Sequence, residues 1–183
     1  MSVIPARYSP WVRRLHWMIF VLVVCALALI YIHGWSPKGS DLRANVKWGH
    51  MQFGMAILLI MLPRLIVRSR KHRPPITPPP LPWQTLLAKV VHFVLYALLI
   101  VIPLLGIATM VWKGQAWNFL GIPLPSVPTP DRHFSHQIQE IHETLGNVLM
   151  YLAAAHALAA LFHHFIRRDD TLKRMLPPAR VDR

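Results

Sequence analysis

Cysteine is almost absent from this chain: its 183 residues hold only Cys25. One thiol excludes a disulfide framework and a thiolate metal cluster, and without C-x-x-C-H there is no covalent c-type haem attachment. Acidic residues are scarce, 7 Asp+Glu against 20 Lys+Arg, for a formal charge of +13. H-E-x-x-H, a Gly-rich phosphate loop and G-x-S-x-G are all missing, so metalloprotease, nucleotide and serine-hydrolase chemistry have no motif to rest on. No repeat of fixed period occurs. What the chain has in excess is apolar: 54% hydrophobic and 15% charged, with mean hydropathy +0.38. That excludes a disordered chain and leaves room for one domain. A soluble protein this basic would bind nucleic acid. One this apolar belongs in a bilayer, and nucleic acid drops out as a partner.

Four stretches lack Asp, Glu, Lys and Arg: Leu15 to Pro37, Trp48 to Pro63, Val90 to Trp112 and Thr144 to Ile166. A spanning helix needs about 20 mostly apolar residues. Three stretches are that long, and the second becomes so if Lys47 and Arg64 snorkel to the interfaces. None alternates as barrel strands would. Arg13-Arg14 before the first run fits a signal peptide, but the run is too long and no A-x-A-like site follows. The expectation is an all-α integral membrane four-helix bundle, a single domain over residues 1–183. Its helices are expected at about 10–33, 45–68, 84–112 and 136–167. Pro74 to Pro82 reads as a short polyproline spacer, Gly121 to Pro130 as an irregular loop, and Pro103 as a kink.

Fifteen of the 20 Lys and Arg fall before the first helix, between the second and third, and after the fourth. Those segments share one side of a four-helix bundle, and the positive-inside rule puts both termini in the cytoplasm. The same basic rim suits anionic lipid. Trp11, Trp17, Trp35, Trp48, Trp112 and Trp117 sit near the helix ends as an aromatic belt would.

The 11 His need a separate reason, because ionisable residues at membrane depth are functional candidates. His142 and His156 lie 14 residues apart, hence within about 40° of one helix face and about 21 Å apart along it. That interval suits two haems stacked across a bilayer core of about 30 Å. Depth selects partners on other helices: His50 for His142 on the outer side, His16 for His156 on the inner. Gly54, Gly146 and Ala160 each follow one of these histidines by four, which leaves room for a flat macrocycle; Phe20 breaks the pattern after His16. A lone intramembrane His is more often a hydrogen-bond partner, but four at two matched depths point to iron ligation. His92, at the inner haem's depth, competes as a ligand or as a propionate or quinone contact. His163, on the face of His156, suits a quinone or propionate as well as a plain interfacial role.

Several segments carry a family resemblance. They are Arg14-Leu15-His16-Trp17, Trp48-Gly49-His50, the run Lys89 to Tyr96, Ile141-His142-Glu143-Thr144-Leu145, Ala155 to Ala160, His163-His164-Phe165 and Asp169 to Pro177. Together they resemble the bacterial cytochrome b561 family over nearly the whole chain. The resemblance implies a multi-pass protein of the bacterial inner membrane with two b haems on His16, His50, His142 and His156. It further implies either of two activities. The first is oxidation of superoxide at the periplasmic face with reduction of membrane ubiquinone. The second is a non-enzymatic electron conduit or haem anchor for a redox partner protein. For the first, Lys47 and Lys113, with Arg43, are expected to steer the superoxide anion; His163, His92 and Arg14 are the quinone candidates.

Overall fold

The computed structural model describes residues 7–70 and 74–177. Lys71, Arg73, Arg180 and Arg183, four of the basic residues counted above, lie outside them, as does His72. Four long helices dominate: α1 (Pro10–Trp35), α2 (Asp41–Arg70), α3 (Pro82–Lys113) and α4 (Arg132–Phe162). All four are long and apolar enough to cross a membrane. Each continues beyond its charge-free stretch, because Lys, Arg and Gln are good helix formers whose charges reach the interface. α1 and α3 begin with proline in the first turn, where the missing N–H costs nothing. At α4 the Asp131 carboxylate accepts from the Phe134 N–H at 2.9 Å. α2 runs on through Pro63 and α3 through Pro103.

α1 packs chiefly on α2 and α3 on α4, and the two hairpins meet mainly through α2 and α3. Ile19, Ala26, Ile57, Met61, Leu98, Leu99, Ile102 and Leu149 form the central apolar cluster. Outward residues are equally apolar: Phe93, Tyr151, Leu158 and Phe165 are largely exposed, as lipid-facing side chains should be.

The α3–α4 connection departs from the irregular loop expected. Trp117–Phe119 (β1) and Ile122–Leu124 (β2) pair antiparallel. Leu120 (φ 49°) and Gly121 (φ 84°) form the turn between them, and positive φ at both central residues matches the twist of a two-residue hairpin. Gln52 of α2 holds this hairpin. Its Oε1 accepts from the Leu120 N–H at 2.8 Å, and its Nε2 donates to the Asn118 carbonyl at 3.0 Å. Trp117 leaves the belt expected of it: it is buried, and its indole donates to the Pro125 carbonyl.

At the opposite end the chain after α4 folds back. A π turn (His163–Arg167) leads to a short 3-10 turn (Lys173–Met175). The Tyr8 N–H donates to the Arg174 carbonyl, the Trp17 indole to the Met175 carbonyl, and the Thr77 N–H to the Asp170 carboxylate. The Arg174 guanidinium donates to the Pro74 carbonyl. The N-terminal segment, the proline-rich spacer and the tail therefore close one end of the bundle together.

Candidate functional site

Across the gap between the two hairpins, histidines meet in pairs. His50 of α2 faces His142 of α4 with ring centroids 6.1 Å apart and planes at 85°. His16 of α1 faces His156 of α4 at 6.4 Å and 81°. The two arrangements are near copies at two depths. Imidazole nitrogens that share one metal ion, each about 2 Å from it, place facing ring centroids about 6 Å apart. His92 stands 5.2 Å from His156, closer than two rings on opposite sides of one ion would stand.

Hydrogen bonds fix the protonation of the His50 and His142 rings. His50 Nδ1 donates to the Ala26 carbonyl and His142 Nδ1 to the Ile102 carbonyl, each at 2.8 Å. Carbonyls only accept, so both rings carry their proton on Nδ1 and keep the Nε2 lone pair free, the usual outer-sphere arrangement of a metal-binding histidine. A cavity of about 280 Å³ adjoins the pair, lined by Ala26, His50, Gly54, Ile102, His142 and Gly146. A Cβ at Gly54 or Gly146 would meet nothing within 4 Å, so neither glycine is required by protein packing. The room that they leave, together with two bare imidazole nitrogens, fits a flat iron-bearing macrocycle. Gly106 differs: a Cβ there would come within 3.2 Å of His142 Cε1, so this glycine makes space for the histidine itself. The sequence reading missed it because its signal, a small residue opposite a ligand on another helix, has no fixed spacing.

The inner pair is prearranged less completely. Arg64 is not at the interface where snorkelling would put it; it is 8% exposed, inside the bundle. Its Nη1 donates to the Val12 carbonyl at 3.3 Å and its Nη2 lies 3.1 Å from His16 Nδ1. A guanidinium can only donate, so the unligated His16 accepts there and carries its proton on Nε2. The reason for the burial is local: the side chain finds a carbonyl, an imidazole and, at 5.7 Å, the face of Tyr96. His92 Nδ1 donates to the Ala88 carbonyl within its own helix at 2.6 Å.

Two further groups flank these pairs. A second cavity of about 560 Å³ reaches from His50 and His142 to Arg43, Lys47, Lys113 and Trp117. The structure thus brings Lys47 and Lys113 together beside the outer pair, under the hairpin. Arg43 is partly committed, donating to the His33 and Ser36 carbonyls at the end of α1, and Glu143 adds one carboxylate to the same cavity. At the tail end His163 Nδ1 meets Asp169 Oδ2 at 2.5 Å. Burial tends to raise the Asp169 carboxyl, but hydrogen bonds from His163 and Thr171 outweigh it and hold it below the usual carboxylate range.

A sequence-family model described as prokaryotic cytochrome b561 matches residues 7–178. "Cytochrome b561 homolog 1" of Escherichia coli K12 is 40% identical over 171 residues, 93% of this chain and 97% of the relative. "Probable superoxide oxidase CybB" of Yersinia pestis is 34% identical over 174 residues, 95% and 98% of the two chains. "Cytochrome b561 homolog 2" of E. coli K12 is 27% identical over 186 residues, 97% and 95%. With its four membrane-spanning helices and paired intramembrane histidines, the chain belongs to the prokaryotic cytochrome b561 family: multi-pass electron-transfer proteins of the bacterial inner membrane that bind haem b.

Proposed function

We propose that this protein oxidises superoxide at its outer face and reduces ubiquinone at its inner face through two b haems. The observation that carries the reading is the outer site. There, two histidines with bare Nε2 atoms border a cavity that also receives Lys47 and Lys113. The name printed for the Yersinia relative points the same way.

His50 and His142 hold the outer haem and His16 and His156 the inner; Gly54 and Gly146 give the outer macrocycle its clearance. To ligate through Nε2 as a neutral ring, His16 would carry its proton on Nδ1, beside the Arg64 guanidinium. The 5.2 Å separation of His92 from His156 supports reading His92 as a neighbour of the inner site rather than a ligand. When bound, the haems supply one-electron exchange at iron. The surrounding residues do the rest. Lys47 and Lys113 attract the superoxide anion, as a cationic cleft does, and the Gln52-held hairpin narrows the approach. Both termini lie in the cytoplasm on the positive-inside rule, which turns this cavity toward the periplasm. Two superoxide ions give up one electron each and leave as dioxygen; a quinone takes those two electrons and two protons. His163 is the favoured quinone contact, because Asp169 fixes its Nδ1, so that Nε2 can accept from a quinol hydroxyl or, in an imidazolium paired with Asp169, donate to a quinone oxygen; Arg14 lies at the same end.

Purified protein loaded with quinone and mixed with a superoxide pulse tests this. Haem reduction faster than spontaneous dismutation, followed by quinol formation, is expected. A superoxide decay equal to the uncatalysed rate overturns the oxidase and leaves an electron conduit that needs a partner protein.

A further inference from the structure

The two histidine pairs match in spacing but not in what stands behind them. Behind His50 and His142 are carbonyl oxygens, each 2.8 Å from Nδ1. Behind His16 is the Arg64 guanidinium at 3.1 Å. A carbonyl pulls on the Nδ1 proton and makes the imidazole a richer electron donor. A cation does the reverse. Outer-sphere partners of this kind are among the levers that set a metal's potential.

Arg64 also lacks the partner that a buried charge normally has. The carboxylate ion pairs among the described residues involve Glu140, Asp169 and Asp170, none of them with Arg64. Its neighbours are a backbone carbonyl, an imidazole and an aromatic face. An uncompensated cation inside a membrane bundle is expensive to keep. Its guanidinium stays charged at any working pH, and its field is weakly screened in a low-dielectric interior. That field favours an added electron nearby; the cations of the outer pair, Arg43, Lys47 and Lys113, line its cavity half-exposed rather than buried against a ring nitrogen, and solvent screens them more.

We infer that Arg64 is a positioning residue for electrons: by facing His16 with a fixed positive charge, it makes the inner site the stronger electron acceptor and so sets the direction of flow from the outer site inward. The inference rests on the proposed ligation by His16, and the two fail differently.

The test is a potentiometric titration of the haem-loaded protein and of Arg64→Met, Arg64→Gln and Arg64→Lys, each with its haem content measured. The component lost in His16→Ala identifies the inner site. In the wild type that component is expected at the higher potential. In Arg64→Gln and Arg64→Met, at unchanged haem content, its electron equilibrium is expected to fall at least tenfold, which is 59 mV for one electron. The outer component stays within twofold, and Arg64→Lys keeps most of the inner value. An inner component at or below the outer one in the wild type overturns the inference. So do equal shifts of both components, or an unmoved inner component in the neutral variants. Loss of the inner haem from the Gln and Lys variants alike also overturns it, by making Arg64 merely structural. A wild type in which His16→Ala leaves both components in place refutes the ligand assignment instead.

Discussion

Gly54 and Gly146 give the sharpest handle on the outer site, because a side chain added there is expected to act with opposite signs on the empty and loaded protein. A Cβ at either position meets nothing within 4 Å. In the haem-free bundle, Gly→Ala on a helix therefore brings only its propensity gain, about 0.5–1 kcal/mol. In the loaded protein, on the proposed ligation, the same space would hold the macrocycle. Leu in place of Gly146 then overpacks the cavity of about 280 Å³ that this glycine lines, and overpacking typically costs about 1–3 kcal/mol. At 1.4 kcal/mol per factor of ten, the outer haem should bind about 5- to 150-fold more weakly. Pyridine haemochrome counts per chain, on protein made with limiting haem, should fall toward one haem in Gly146→Leu. The thermal stability of haem-free Gly146→Ala should match or exceed that of the parent. If Gly146→Leu takes up both haems at parental affinity, the clearance argument is wrong.

Other outcomes follow from the same geometry. His50→Ala or His142→Ala should remove the outer haem and spare the inner, and His16→Ala or His156→Ala the reverse; haem counts and redox titration check this, and both haems retained in any variant refutes that ligand. His92→Ala should keep both haems. Lys47→Gln with Lys113→Gln should slow superoxide-driven haem reduction about tenfold at low salt, at the lower end of steering effects, and flatten its dependence on ionic strength; an unchanged rate removes their role. The Asp169 carboxyl is held below its ordinary value, so its contribution to the tail is complete above about pH 4 and is lost as pH falls through the lower folded value. The protection of residues 169–176 against hydrogen exchange, relative to the intrinsic rate at each pH, should therefore hold above about pH 4 and fall below it, and Asp169→Asn should blunt that fall.

What could be read from the sequence was whatever repeats along one helix. Charge-free runs marked the four spans because a bilayer core penalises every unpaired charge. The interval from His142 to His156 showed on α4 alone, and depth then selected the partners that now stand 6.1 and 6.4 Å away. Residues that matter across elements were illegible. Arg64 looked like an interfacial anchor because its charge was visible and its neighbours Val12, His16 and Tyr96 were not. Gly106 follows no histidine by four; it is small because of a ring on another helix. The hairpin escaped notice because its turn is Leu120-Gly121 rather than a signature pair such as Asn-Gly, and because Gln52, some 70 residues earlier in the chain, completes its hydrogen bonds.

The fold-back of the tail also bears on the order of biosynthesis. The residues that seal one end, Asp170, Arg174 and Met175, leave the ribosome after all four helices, yet their partners include Tyr8 and Trp17 at the start of the first. Until translation has passed them, that mouth of the bundle stays unlatched while the hairpin at the other end is already complete. Assembly therefore has a built-in sequence, in which the hairpin end can mature first and the end that holds both termini is fastened last.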